Sequence, residues 1–377
     1  MVKNNKPVRI LEATISNDKG GLTGYICQNY RFIDKDKIQF DFITYEDKID
    51  FQKEFEEQGA KFYRLPKISK FFAYIKALKN IQKEYNHKII HFHMSYTNMI
   101  PIIAAKIAGI DKIFLHAHST QIDDNRKYIR WIKTGINFMG KYLSIFFVDQ
   151  FFACSNKAAK WMFPQSIINS DKFSLAHNAI DIKKFVFNSR IREIKRKELG
   201  INDNTFCVGH IGRFSYQKNQ EFVVEIFYEL QKIHEDAVLL LIGKEDQEVY
   251  NRVIQKVNDL KIDKNVKILG IRDDIPALYQ AMDCFILPSR FEGLGIVTIE
   301  AQASGLYTIL ADTVPYEAKV TNLVDFISLN KAPKYWAERI LSRLVTERKN
   351  HNCEIREAGY DIENEVVKLK NRYLSLV

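Results

Sequence analysis

Cys284-Phe285-Ile286-Leu287-Pro288-Ser289-Arg290-Phe291-Glu292-Gly293-Leu294-Gly295-Ile296-Val297-Thr298-Ile299-Glu300 decides how this chain is read. An apolar strand ends at Leu287 and a helix starts near Leu294 or Gly295. Gly293 and Gly295 lie at that junction, where missing side chains let backbone N–H groups approach a phosphate at the positive end of the helix dipole. Glu292 and Glu300 are separated by seven residues. Glu300 falls more than one turn into the helix, on the side facing the sheet's C-terminal crevice, where it can accept the two hydroxyls of a ribose. An ordinary βα turn with one capping and one surface glutamate would read the same way, so the flanking sequence has to decide.

Outward from this unit, strands and helices alternate. Upstream, Phe206–Ile211, Ala237–Ile242 and Val266–Leu269 read as strands, with helices over Gln220–His234, Glu245–Leu260 and Ile275–Ala281; downstream Tyr307–Ala311 is a strand. The first half repeats the pattern, with strands at Val8–Ala13, Phe40–Thr44, Ile89–Phe92, Ile113–His116 and Ser144–Ala153 and helices at Phe71–Tyr85 and Met99–Ala108. Such alternation implies parallel α/β sheets. A length of 377 residues fits two domains of ordinary size. The expected boundaries are 1–180 and 181–355, with a helical tail over 356–377 packing back on the first domain.

Three further segments fall at the C-terminal ends of strands, where open α/β sheets bind ligands. Gly209-His210-Ile211-Gly212-Arg213-Phe214-Ser215-Tyr216-Gln217-Lys218-Asn219 offers an Arg fork and a Lys point charge, complementary devices for holding a diphosphate. Ser16-Asn17-Asp18-Lys19-Gly20-Gly21 is a weak phosphate-loop signal and matches neither a dinucleotide fingerprint nor a Walker A motif. His116-Ala117-His118 offers two imidazoles. No third ligand lies nearby and the two rings are expected on opposite faces of the strand, so no metal is assigned and His118 is read as a hydrogen-bonding group. His91-Phe92-His93 is a similar, weaker signal.

Composition excludes several classes. The apolar fraction of 46% with 12% aromatics rules out intrinsic disorder. Five cysteines, never in C-x-x-C spacing, support neither a zinc knuckle nor a disulfide framework and point to a reducing compartment. Met1 to Lys6 is polar, so no signal peptide is expected; the apolar window Tyr142–Cys154 is interrupted by Asp149 and Gln150 and too short to span a bilayer.

Taken in order, these segments resemble the family 4 retaining glycosyltransferases of GT-B fold: two doubly wound Rossmann-like domains facing a cleft, with a C-terminal helical tail. The first half contributes Gly20-Gly21, His118 and Ala153-Cys154-Ser155. The second contributes the hinge segment His177-Asn178-Ala179-Ile180-Asp181, Gly212-Arg213…Lys218-Asn219, Gly270-Ile271-Arg272, Asp283, Pro288-Ser289-Arg290 and the Glu292…Glu300 pair. Within the family the chain is similar to bacterial capsular and exopolysaccharide enzymes. The resemblance implies transfer of a sugar from a nucleotide donor, UDP-linked, to a saccharide acceptor that can be lipid-linked. By it, Arg213 and Lys218 stabilise the leaving diphosphate, Glu292 binds the donor sugar, and Gly212 with the Gly293, Leu294 and Gly295 backbone lies at the phosphates. Glu300 takes the ribose and Ile271 and Arg272 lie against the base, while His118 faces the transferred sugar and Gly20 and Gly21 let the first loop approach. No cofactor and no obligatory metal are implied. The family pattern departs at Ala179, where glycine is common. Two other readings are a GT-B UDP-sugar epimerase and a non-catalytic partner subunit; both would be expected to lack the combination of the two cations and the two glutamates.

The net charge of +10 is not evenly spread: residues 1–190 hold 30 basic and 18 acidic side chains, residues 191–377 hold 26 and 28. No nucleic-acid motif accompanies the excess, so no nucleic-acid partner is expected. In Lys61–Lys88 and Arg126–Tyr142 the cations interleave with aromatics, the composition of a segment lying on an anionic membrane. The expected location is the cytoplasm, docked on the inner face of the membrane next to a polyprenyl-diphosphate-linked acceptor.

Overall fold

A computed structural model describes residues 6–18, 20–343 and 347–376. Lys19 of the first loop, the polar stretch Met1–Asn5, residues 344–346 and Val377 of the tail lie outside the described residues. The chain forms two compact units. One comprises residues 1–122, 128–178 and 362–377; the other 123–127 and 179–361. The breaks thus fall at 178/179 and 361/362, against 180/181 and 355/356 read from the sequence, and residues 123–127 go with the second unit.

The first unit runs β1 (Val8–Ile15), α1 (Gly21–Phe32), β2 (Ile38–Thr44), α2 (Gln52–Glu56), β3 (Phe62–Arg64), α3 (Phe71–Tyr85), β4 (Ile89–Met94), α4 (Met99–Ala108), β5 (Lys112–Ala117), α5 (Lys127–Leu143), β6 (Gln150–Ala153), α6 (Asn156–Met162), α7 (Gln165–Ile168) and β7 (Phe173–Leu175). Its strands pair in parallel in the order β3-β2-β1-β4-β5-β6-β7. The second unit runs α8 (Ser189–Glu198), β8 (Phe206–Ile211), α9 (Gln220–Ile233), β9 (Ala237–Ile242), α10 (Gln247–Asp259), β10 (Val266–Ile268), α11 (Ile275–Ala281), β11 (Cys284–Leu287), α12 (Ile296–Ala303), β12 (Tyr307–Ala311), β13 (Val324–Ile327), α13 (Pro333–Leu341) and α14 (Asn352–Glu357), with parallel order β10-β9-β8-β11-β12-β13. The chain ends in α15 (Ile362–Leu374), which belongs to the first unit.

Both sheets are doubly wound, and each reverses its strand order once: between β1 and β4, and between β8 and β11. Central strands are covered on both faces by helices, which is why β9 is buried at every residue and reads as an unbroken apolar run. The strands absent from the sequence reading, β3, β7 and β13, all sit at sheet edges and are only three or four residues long. The strand expected over Ser144–Ala153 is a correction. It shrinks to Gln150–Ala153, because Ser144–Phe146 forms a 3-10 turn and the Asp149 carboxylate accepts the Ile113 amide at 2.9 Å, holding the entry to β6.

The tail helix docks through its aromatic end. The Tyr373 ring is buried and stacks on Phe114 with centroids 5.9 Å apart. Lys370 pairs with Asp34 at 3.1 Å, and Arg372 donates to Gln150 Oε1 at 2.6 Å. Burying one such ring contributes about 1.5–3 kcal/mol.

Candidate active site

In the second unit, two loops leave the C-terminal ends of the adjacent strands β8 and β11, at the point where strand order reverses and ligands of open α/β sheets bind. The first loop carries Arg213, Gln217 and Lys218, the second Glu292 to Gly295. Asn219 locks them together: it takes a left-handed conformation (φ 60°) at the start of α9, and its Nδ2 donates to the Pro288 carbonyl at 3.1 Å. The Arg290 amide returns a bond to the Gln217 carbonyl at 2.8 Å. Gly295 has φ +84°, a conformation that L side chains rarely adopt, and opens α12; the Thr298 hydroxyl and amide both donate to its carbonyl.

At the centre lies Glu292, only 4% exposed. Lys218 Nζ donates to its Oε1 at 2.7 Å and Gln217 Nε2 to its Oε2 at 2.9 Å. Glu292 uses one of the three donors of the Lys218 ammonium. The half-exposed Arg213 guanidinium donates to Asp123 at 2.6 Å, and the same carboxylate accepts the Gln217 amide at 3.1 Å. Gly212 lies under Lys218, where an added Cβ would come within 2.9 Å of the lysine chain. The Ser289 hydroxyl is buried with no hydrogen-bond partner among the described residues.

Glu300 sits on α12 within reach of the same cation. Burial raises its carboxyl to about 7, opposed by the Tyr279 hydroxyl, which donates at 2.9 Å, and by the charge of Lys218. A carboxylate that must accept hydroxyl protons works only when ionised. If Glu300 binds a ribose, affinity for a UDP-sugar, whose phosphates do not titrate near neutrality, falls about tenfold between pH 8 and pH 6 as a carboxyl of pKa about 7 is protonated. Titration calorimetry should find that dependence in the wild type and not in Glu300→Gln.

Arg272 stands apart from this cluster. It is held by Asp274 at 2.7 and 2.8 Å and by Glu198 at 3.0 Å, in a network that Lys195 completes. Its guanidinium is thus paired within the unit, and the neighbouring Ile271 side chain is 54% exposed. Asp283 is structural: it receives Arg192 at 2.6 Å, Arg196 at 3.3 Å and the Cys207 amide at 2.8 Å.

In the first unit, Gly20 and Gly21 open α1 with no positive φ. The Gly20 amide donates to Asp18 at 3.0 Å, and among the described residues a side chain at Gly21 would meet only Asn178, at 4.0 Å. The protein's own packing leaves room at Gly21.

His116 and His118 do not part to opposite faces. Side chains alternate along a strand, so residues two apart share a face, and these rings lie 4.0 Å apart. The pair is not isolated either: His91, His93 and His116 each offer a ring nitrogen within 4.8 Å of the others, all buried. Hydrogen bonds engage much of the cluster. His93 bridges His118 Nε2 at 2.9 Å and Glu12 at 2.7 Å, while Tyr373 meets His91 at 2.6 Å and Glu12 at 3.0 Å.

Sequence reasoning missed Asp123, Gln217, Tyr279, Glu12 and Tyr373. Glu12 had a readable signal, a lone carboxylate inside an apolar strand. Asp123 lies 90 positions from its partner Arg213 and had none.

Comparison with known proteins adds the family. The family model described as Glycosyl transferases group 1 matches residues 191–360, and that of Glycosyltransferase Family 4 matches residues 19–184. The chain is 27% identical to EpsF of Bacillus subtilis (strain 168), a protein named as a glycosyltransferase, over 98% of this chain and 97% of that one. It is 25% identical to the UDP-Gal:alpha-D-GlcNAc-diphosphoundecaprenol alpha-1,3-galactosyltransferase of Escherichia coli, over 85% of each. Its fold is that of Anabaena HepE, solved in complex with UDP and glucose, with a TM-score of 0.79 at 19% identity over 98% of this chain and 100% of that one. Two doubly wound units, two cations and two glutamates on adjoining segments of one of them, and family models matching both halves have one reading: this chain is a GT-B glycosyltransferase of family 4, similar to bacterial polysaccharide enzymes.

Proposed function

We propose that the chain moves a sugar from a UDP donor to a saccharide carried on a polyprenyl diphosphate, with retention of anomeric configuration and no bound metal. The observation that carries this reading is the Lys218–Glu292–Gln217 cluster beside Arg213. Two cations at a strand-order reversal supply the charge that a metal would otherwise bring to a leaving diphosphate. Glu292, fixed by two donors, is assigned to the donor sugar's hydroxyls, and the Gly293-Leu294-Gly295 backbone at the start of α12 to the distal phosphate. Glu300 takes the ribose and Ile271 the base. On the first unit, His118 is assigned to the transferred sugar and Gly20-Gly21 to the phosphate side of the donor. The E. coli relative, whose name couples UDP-Gal to an undecaprenol diphosphate, supports the substrate classes. Donor hydrolysis across a panel of nucleotide sugars in excess EDTA tests the reading: UDP-sugars turn over and GDP- and ADP-sugars do not. Dependence on added divalent metal would count against it.

The acceptor's lipid bears on α5. No helix among the described residues is long and apolar enough to cross a membrane. Yet α5 turns Tyr128, Trp131, Ile132, Phe138, Met139 and Tyr142 outward, with Trp131 81% exposed. It can do so because its inner face is small and polar. Asn137 accepts the Thr97 amide at 2.8 Å, and at Gly140 a Cβ would stand 2.3 Å from the Thr97 carbonyl. Rings flanked by Lys127, Arg130, Lys133 and Lys141 suit an anionic lipid surface, each cation contributing about 1 kcal/mol. The other basic aromatic segment differs: in α3, Tyr74, Ile75, Leu78 and Ile81 are core, and Phe72 is exposed. Flotation with phosphatidylglycerol vesicles is expected for the wild type and lost in Trp131→Ala/Phe138→Ala. Equal flotation on neutral vesicles would sink the docking idea.

A further inference from the structure

The histidine cluster of the first unit carries more than a contact for a sugar. Glu12 lies in the middle of β1, 1% exposed, between apolar neighbours. Its Oε2 faces His93 Nε2 at 2.7 Å, and its Oε1 accepts from the Tyr373 hydroxyl of α15 at 3.0 Å. His93 Nδ1 faces His118 Nε2 at 2.9 Å. His118 Nδ1 is buried with no hydrogen-bond partner among the described residues. The four groups therefore form one directed chain, Tyr373–Glu12–His93–His118, ending on an unused ring nitrogen.

We propose that Glu12 is a positioning residue which, through His93, sets whether His118 presents a bare nitrogen or an N–H to its ligand. The inference rests on the reading that His118 meets a sugar hydroxyl, and it follows from proton counting. A neutral imidazole has one donor and one acceptor nitrogen. When Glu12 is ionised it accepts from His93 Nε2–H, so His93 Nδ1 is bare and must accept from His118 Nε2–H. His118 Nδ1 is then a bare acceptor for a hydroxyl proton. When Glu12 takes one proton from solvent on Oε2, it donates to His93 Nε2. The His93 proton then sits on Nδ1 and donates to His118 Nε2, and the His118 proton moves to Nδ1. Each ring keeps one proton throughout and the carboxyl gains one.

The surroundings keep the rings neutral while letting the carboxyl titrate. Burial pushes His91, His116 and His118 well below the ordinary imidazole range and His93 down to about 3. Burial raises Glu12 to about 8, opposed by the Tyr373 hydrogen bond. The groups facing it come from every element packed around it: Tyr25 of α1, whose ring meets His93, His116 and His118; His91 and His93 of β4; His116 and His118 at the end of β5; Tyr373 of α15. Glu365 of α15 and Cys154 after β6 act on Tyr25 from farther out.

The test is a long-range proton–nitrogen correlation on the full chain labelled with nitrogen-15 histidine, taken from pH 6.5 to 9.5, with His118 assigned by its loss in His118→Asn. The wild type is expected to carry the proton on Nε2 at high pH and on Nδ1 at low pH, with a midpoint near pH 8, the value to which burial raises Glu12. Glu12→Gln should abolish the pH dependence. Tyr373→Phe removes a bond to the ionised form and should move the midpoint upward. One tautomer across the whole range in the wild type would overturn the proposal, whether or not either variant folds. So would a midpoint unmoved in a folded variant. The spectrum needs no turnover, so a protein with the switch but without transfer would refute the transferase reading alone. Transfer with an invariant His118 tautomer would refute the relay alone.

Discussion

Lys218→Ala is expected to lower kcat by about 10²–10³-fold, the usual cost of removing one group aimed at charge that develops in the transition state. The step affected is loss of the diphosphate, so donor KM should move much less than kcat. Lys218 also has a structural side, because it pairs at 2.7 Å with Glu292, whose side chain is 5% exposed. Taking away one partner of a buried pair leaves an uncompensated carboxylate and costs about 3–5 kcal/mol. The variant should therefore melt earlier as well as turn over slowly. Lys218→Met/Glu292→Gln isolates the stability effect: melting recovers, since no charge is stranded, while activity stays low because both side chains are assigned to the donor. Recovery of turnover in that double variant would mean that Lys218 serves the fold rather than the reaction.

Arg213→Ala is the cleaner companion. Its guanidinium side chain is 43% exposed and its partner Asp123 is 18% exposed, so losing the pair changes stability by about 0–1 kcal/mol. Turnover should nevertheless fall about 10²-fold. Arg213→Lys restores part of it, because an ammonium keeps the charge and loses the fork that grips two phosphate oxygens. Steady-state rates at saturating donor, set beside a melting curve, decide the matter; full activity in Arg213→Ala would remove it from the site.

The two residues also mark how far the sequence could be read. Arg213 and Lys218 follow an apolar strand that is buried on both faces, and Glu292 to Glu300 follow another, so periodicity and glycine placement located both loops. That the loops touch was not legible: it depends on β8 and β11 being neighbours, although α9, β9, α10, β10 and α11 separate them along the chain. The edge strands were missed for the converse reason. Phe62–Arg64 and Phe173–Leu175 are short and partly exposed, so no apolar run announces them. Arg272 lies on the segment that the sequence singles out, and its guanidinium also closes a local pair with Asp274, two residues on.

In the first unit a period of two puts His116 and His118 on one face rather than on opposite ones, and His91 and His93 join them from the strand beside them. Glu12 comes from β1, and Tyr373 from the far end of the chain, 361 positions away. An array assembled from both ends of a sequence leaves no local motif. Its trace is a carboxylate and imidazoles at positions where strand patterning calls for apolar side chains, each of which needs a partner once buried.

Transfer from a UDP-sugar with retention, driven by two protein cations, is the reaction proposed for this site. It is tested most directly by incubating the enzyme with a UDP-sugar and an undecaprenyl-diphosphate-linked sugar in excess EDTA and assigning the anomeric configuration of the product by NMR. The expected product has the donor's configuration, forms at the same rate with or without chelator and is nearly abolished in Arg213→Ala. An inverted product, or transfer that stops in EDTA and returns with added metal, would contradict it.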